Sequence, residues 1–325
     1  MKNLLILNGL DHAFLREFGC SCNRCAKQRR LANTSVSLIS LDDNGRVLRH
    51  VLFDIGMGVV NSLVDSPYLS GDKARLDWLI ISHWHPDHVL DLNRLCETWR
   101  RTFKRRGEQW KRIPTWCRSG TAEWLKRNQA YEWTLLEPHL SGEVIPPGID
   151  PGVKLGTIEI GIDGLRITPI TVSHCTADMH PETRQLLYCC ASFVIKIKDK
   201  KAVLLWDVDN KNDWIEKPTN VQQEETVELL SNADYFFVDC NTWNAEIVNG
   251  RNTGHIAFST VKRYVKALNP KLTLLVHLSG HEDGEGNPGW GWLDRDWEKA
   301  AQKAWKDLDL PGEVHVPRIG EEFGL

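Results

Sequence analysis

No apolar run in the 325-residue sequence approaches the roughly 20 residues that cross a bilayer, so a helical membrane span is not expected. The opening MKNLLILNGLDH is interrupted too early by Asp11 and His12 to be a secretory signal and reads as a first strand. The expected compartment is therefore the cytoplasm. No repeat, linker or low-complexity tract divides the chain, which is read as a single domain over residues 1–325 with an insert at about 97–151. Strong positive charge is also missing: the formal net charge is −3, and no long glycine-rich arm is present that could grip a nucleic acid. The nine cysteines are odd in number and accompany no signal, which argues against a disulfide framework. Cys96, Cys117, Cys175, Cys189, Cys190 and Cys240 are scattered and read as small buried hydrophobes.

What is present is strand patterning. LLILNGL, SVSLISL and RVLRHVLFDIG are β-rich, and Asn44-Gly45 between the last two marks a hairpin. LDWLIISH is nearly all apolar, as a strand buried on both faces would be. A helical face through Leu90, Leu95, Trp99 and Phe103 follows, running into a basic stretch at 100–112. Residues 151–174 alternate like a β-meander, and SFVIKIK with AVLLWD form a second hairpin. The last third alternates helices with the strands YFFVDC and KLTLLVH. Two β-rich halves that each end in helices predict two facing sheets with helices outside.

The segment IISHWHPDHVLDL places His83, His85, Asp87 and His88 at the mouth of a strand. Neutral imidazoles beside a carboxylate suit zinc, manganese or iron, whereas a solvated helix start needs none of these imidazoles. Three further strand ends carry ligand-type residues: His174 in ITVSH, Asp207 in AVLLWD and His277 in KLTLLVH. Any one alone would be an ordinary hydrogen-bonded residue. Together they can complete a dinuclear site. Asp209 in WDVDN is the rival to Asp207, which is preferred because it directly follows the apolar run.

This set resembles the metallo-β-lactamase fold superfamily over nearly the whole chain. The resemblance implies a four-layer αββα sandwich with the metals at one edge between the sheets. It further implies that His83, His85 and His174 hold one divalent ion, that Asp87, His88 and His277 hold the other, and that Asp207 bridges them. The implied nucleophile is a hydroxide shared by the two metals.

Near the N-terminus, EFGCSCNRCAKQRR spaces Cys20, Cys22 and Cys25 as C-x-C-x-x-C, a spacing that suits zinc. The same GCxCxxC segment is characteristic of the superfamily branch that contains the phosphoribosyl cyclic phosphate phosphodiesterases, to which the chain is similar. That resemblance implies a fourth ligand shortly after the last strand histidine, here His281, although the gap from His277 is one residue longer than usual. The pyrroloquinoline-quinone biosynthesis protein also carries an N-terminal cysteine cluster on this fold, but its typical members lack the intact histidine signature seen here. A structural zinc at these residues would clip the N-terminal loop to the active-site edge.

In NTGHIAFSTVKRYV, His255 is placed at the start of a helix, where free N–H groups attract anions. In the cyclic phosphodiesterases and the tRNA 3′-processing endonucleases, a histidine in this place contacts phosphate or acts as general acid. His255 and Asp87 are thus the residues expected to act in catalysis. The expected substrate is a small cyclic or nucleotide-like phosphodiester. RNA processing and noncatalytic metabolite binding are the alternatives, and the fold also accommodates β-lactam, thioester and sulfur substrates. The related phosphodiesterases imply a homodimer. Trp110, Trp116, Trp124 and Trp133 in the insert read as packing residues before sugar-stacking ones. His139 and His180 are placed at the mouth by no motif.

Overall fold

Runs of β-branched and aromatic residues give the chain two sheets whose parallel strands all end at one edge. The structure is a computed structural model that describes every residue except 1, 142–150, 175–176, 179–186, 245–246, 249–250, 253 and 282. The first sheet is built from β1 (Lys2–Gly9), β2 (Ser35–Leu41), β3 (Val47–Phe53), β4 (Trp78–Ile80), β5 (Ile113–Cys117) and β6 (Leu136–Leu140). The second uses β7 (Leu165–Thr171), β8 (Ala191–Ile197), β9 (Lys200–Leu205) and β10 (Tyr235–Asp239). After a short ribbon of β11 (Ile247–Val248) and β12 (Arg251–Asn252), it is completed by β13 (Leu272–Val276) and β14 (Glu313–His315). The last strand, β15 (Glu322–Gly324), returns to the first sheet beside β1. The orders are β15-β1-β2-β3-β4-β5-β6 and β14-β13-β10-β9-β8-β7.

The helices are α1 (Asn23–Ala26), α2 (Val59–Asp65), α3 (Pro86–Val89), α4 (Leu92–Arg106), α5 (Ser119–Asn128), α6 (Ala130–Trp133), α7 (Val221–Leu230), α8 (Phe258–Leu268) and α9 (Asp294–Asp307). Between the sheets, Leu5, Leu7, Val36, Leu38, Val51 and Phe53 meet Ile167, Phe193, Ile195, Leu204 and Phe237 in one buried core. Each such side chain taken fully out of water contributes about 1.5–3 kcal/mol. A second core lies under α2, α4 and α5, where Leu52, Leu79 and Ile81 meet Val60, Leu92, Leu95 and Leu125. On the other outer face, Val261, Tyr264 and Val265 of α8 and Trp297 and Trp305 of α9 join the main core. The layers therefore run helix, sheet, sheet, helix, as expected.

Asn44-Gly45 does sit in the β2–β3 turn. Asp42 caps it by accepting from the Asn44 and Arg46 amides, and Gly45 takes φ +75°. The meander is only half realised. Residues 152–160 make isolated bridges to β7 (Lys154 to Ile170, Ile158 to Ile167) instead of a regular strand, because glycines and polar residues interrupt the pattern. The basic stretch has a local cause: Lys104, Arg105 and Arg106 occupy the last turn of α4, where cations complement the helix dipole, and Gly107 closes it at φ +68°. Cys96, Cys117, Cys189, Cys190 and Cys240 are buried free thiols, while Cys175 and His180 lie outside the described residues. Among the described residues, no helix is long and apolar enough to cross a membrane.

Candidate metal centre

Strand direction decides which residues can meet. β3, β4 and β5 run parallel, as do β9, β10 and β13; β7 runs the same way as β9 through two antiparallel steps. Their C-terminal ends share one edge, the usual position for a site in parallel sheets. Asp54 follows β3, His83 follows β4, His174 follows β7, Asp207 follows β9 and His277 follows β13. Asp54, Asp207 and His277 take positive φ (60°, 54° and 60°), a conformation that L residues with a Cβ seldom adopt. The strain turns each side chain into the space between the sheets.

The His83–His88 loop ends in α3, with Pro86 at its first turn. Asp87 lies in its first turn, and its carboxylate faces the cluster. The loop packs so closely on Gly56 that a Cβ at that position would lie 1.7 Å from the Asp87 carbonyl oxygen. Glycine is required at this contact.

All seven residues expected from the sequence come together. His83, His85 and His174 form one group of donor atoms, and Asp87, His88, Asp207 and His277 form another, each within 4.8 Å. His174 Nε2 lies 3.1 Å from His85 Nδ1. Asp207 faces both groups: Oδ1 is 3.7 Å from His174 Nε2, 3.9 Å from His83 Nε2 and 3.4 Å from His277 Nε2, and Oδ2 is 2.9 Å from His88 Nε2. Asp209 does not compete. Its carboxylate accepts from Ser173 Oγ and the Lys211 amide in the adjoining loop.

Whether these residues fit cations can be judged from their unspent donors. His83 Nε2, His88 Nε2 and both Asp207 oxygens are buried without a hydrogen-bond partner among the described residues. Donor atoms crowded this closely, 2.9 Å apart for His88 Nε2 and Asp207 Oδ2, yet left without satisfied hydrogen-bond geometry, suit a shared central charge. Burial pushes His83, His85 and His174 down, His85 to about 4, so these imidazoles are neutral and can offer lone pairs at pH 7. Burial also opposes charge on Asp87 and Asp207, but His88 and His277 outweigh it and hold both carboxylates well below the usual range. Burial would likewise lower His88, yet Asp207, Asp87 and Asp54 hold it well above its ordinary value. The carboxylates around His88 thus favour positive charge at this position. The set fits two divalent ions.

Two carboxylates at the site escaped the sequence reading. Asp54 Oδ2 accepts from His88 Nδ1 at 2.8 Å, and Asp239 Oδ2 accepts from His255 Nδ1 at 2.9 Å. His255 is stacked on His277 with ring centroids 4.7 Å apart, and its Nδ1 lies 4.0 Å from Asp207 Oδ1. It does not begin the helix, as the sequence led one to expect. α8 starts at Phe258 with Ala257 as its cap, so His255 lies in the preceding loop and is positioned by Asp239 rather than by helix N–H groups.

At the far side of His277, Cys20, Cys22, Cys25 and His281 bring their donor atoms within 4.8 Å. His281 Nε2 is 3.3 Å from Cys22 Sγ and 3.2 Å from Cys25 Sγ. Three thiols and an imidazole so placed are a donor set whose chemistry suits zinc. The fully buried Arg24 holds the same loop by pairing with Asp11 and Asp294 and donating to the Trp292 carbonyl.

The insert contributes packing. Trp116 is buried against Phe193; Trp110, Trp124 and Trp133 pack on the second core. Trp124 stacks on Trp84, whose ring stands edge-on to His85. His139 rests against Trp78 on the edge strand and joins no donor group among the described residues.

Fold and donor set together define a four-layer αββα sandwich with a candidate metal centre at one edge. Residues 49–278, more than two-thirds of the chain, match the family model of the β-lactamase superfamily domain. The chain belongs to that superfamily. No curated protein sequence matches it. Among solved structures, a diphosphatase of the PhnP family is similar with TM-score 0.62 and 18% identity, over 100% of this chain and 98% of that one. Zn(2+)-bound PqqB from Methylobacterium extorquens gives TM-score 0.65 at 13% identity, over 99% and 100%. The short form of human tRNase Z gives 0.57 at 13%, over 98% of each chain. At such identities the likeness is one of fold.

Proposed function

We propose that the chain is a dinuclear metal-dependent phosphodiesterase acting on a small cyclic or nucleotide-like phosphodiester. The observation that carries this reading is the Asp207 carboxylate, which faces two donor groups at once while His255 stands beside it, partly exposed. His83, His85 and His174 would hold one ion; Asp87, His88 and His277 would hold the other, with Asp207 shared. When bound, such a pair supplies Lewis acidity toward phosphoryl oxygens and a water nucleophile at neutral pH.

The chain's own residues supply the rest. Asp54 and the Gly254 carbonyl accept hydrogen bonds from Nδ1–H of His88 and His174, which leaves each Nε2 as the ligating nitrogen. Asp239 orients His255 through Nδ1, so the ring is held for proton transfer to the leaving oxygen. Asp207 and Asp87 remain ionised, and the resulting negative site disfavours anions until cations are loaded.

The RNA-processing alternative draws little from the basic stretch. Lys104–Arg106 close a 15-residue helix, about 20 Å along its axis from the end that begins near His88. The deciding experiment loads the protein with zinc, manganese or iron, counts ions per chain, and measures turnover of bis-p-nitrophenyl phosphate, cyclic nucleotides and structured RNA. Turnover of small diesters that tracks occupancy of two ions is expected. Inactivity on all of them, or salt-sensitive cleavage of RNA alone, would overturn the proposal.

A further inference from the structure

β1 runs in the same sense as β3, being two antiparallel steps away, so the loop that follows it reaches the same edge as the ligand-bearing strands. This loop carries His12. The Leu278 amide donates to the Leu10 carbonyl, which lays the loop beside the residue next to His277. Asn33 Nδ2 donates to the His12 carbonyl at 2.7 Å and fixes the backbone. The imidazole is 4% exposed and stands edge-on to His277, with centroids 6.1 Å apart and planes at 70°.

Its hydrogen bonding is lopsided. The Phe14 amide donates to His12 Nδ1 at 3.4 Å, so a neutral ring carries its proton on Nε2. That Nε2 is buried and has no partner among the described residues. Buried N–H groups are rarely left without an acceptor. The ring lies beside His277 of the metal centre and 6.4 Å, centroid to centroid, from His281 of the cysteine set.

We propose that His12 is a further catalytic residue, whose Nε2–H donates to a phosphoryl oxygen of the bound diester. The proposal rests on the phosphodiesterase reading above and adds a substrate contact to it. With Nδ1 already accepting from the Phe14 amide, Nε2 is the ring atom left to meet an anion. Loss of one such positioned donor typically costs about 10²–10³-fold in kcat.

The test compares His12→Phe, which keeps a ring but no donor, with His12→Gln, which keeps a donor. Metal content is matched, and both kcat/KM on bis-p-nitrophenyl phosphate and calorimetric affinity for inorganic phosphate are measured. The Phe variant is expected to lose about 10²-fold in kcat/KM and to bind phosphate more weakly; the Gln variant recovers most of both. Wild-type values in a fully metallated Phe variant would overturn the role, as would equal defects in Phe and Gln or a defect cured by added metal. Should the Phe variant not fold, ¹⁵N-histidine spectra of the wild type decide: phosphate shifts the His12 Nε2 resonance, and an unmoved resonance refutes the contact. A wild type that hydrolyses no diester yet binds phosphate through His12 defeats only the phosphodiesterase reading. One that does neither defeats both.

Discussion

The Asp54 carboxylate lies 2.8 Å from His88 Nδ1 and is itself fully buried, accepting also from the Ser82 amide, Ser82 Oγ and Trp206 Nε1. Four donors converge on one anion. The arrangement makes Asp54 the residue that sets which nitrogen of His88 is available to a cation. In Asp54→Asn the amide can present N–H to Nδ1 and drive the proton onto Nε2, which removes a ligand. Metal affinity is therefore expected to fall about 10–100-fold with the fold intact, as judged by competition with a chromogenic chelator. Unchanged affinity would show that His88 is oriented by packing alone.

His255 and Asp239 should fail together. Neither is among the seven residues of the dinuclear donor set, so His255→Ala and Asp239→Asn are expected to keep two ions per chain. Each should lose about 10²–10⁴-fold in phosphodiester turnover, the usual cost of a positioned acid. The double variant should be scarcely worse than either single one, because the two act as a unit. Additive losses, measured as kcat/KM on one diester, would separate their roles.

Much of the site was legible because the fold writes it at strand ends. His83, His174, Asp207 and His277 each close an apolar run, and parallel strands deliver such residues to a common edge. Asp54 in VLFD and Asp239 in YFFVD carry the same mark, yet with no motif beside them they looked like ordinary strand-terminal carboxylates. The positive φ at Asp54, Asp207 and His277 had no sequence sign, since glycine is the residue that usually announces it. His281 was reachable only through a family resemblance. Its partners lie 256 to 261 residues earlier, a distance across which spacing carries no information. The placement of His255 erred for a local reason: IAF reads as the start of a helix, but the chain turns first at Gly254 and begins α8 at Phe258.

The cysteine set yields a separate expectation. Treatment with a mercurial should release one zinc per chain from Cys20, Cys22 and Cys25, and Cys22→Ser should bind that ion far more weakly. At saturating zinc, every tenfold loss of affinity removes about 1.4 kcal/mol of stability. Melting temperature should drop in Cys22→Ser, and chelation should lower it less in the variant than in wild type, because only the His/Asp centre is then left to empty. An equal response to chelator in both would place the stabilising metal elsewhere.

His50 supplies a pH dependence remote from the metals. It is 1% exposed, its Nδ1 donates to the Arg75 carbonyl, and its Nε2 accepts from Ser37 Oγ, so the neutral ring is fully satisfied. Burial lowers it from 6.5 to about 4. Above pH 6.5 the ring is neutral in folded and unfolded chains alike, and no stability is lost. Between 6.5 and 4 only the unfolded chain takes up the proton, so stability falls with falling pH, by about 3 kcal/mol at pH 4. His50→Gln cannot titrate. Urea denaturation of metal-stripped protein at pH 7 and pH 4 should therefore show wild type losing about 3 kcal/mol more than the variant. Parallel losses in the two proteins would mean that the ring protonates freely in the native state, against its burial and both of its hydrogen bonds.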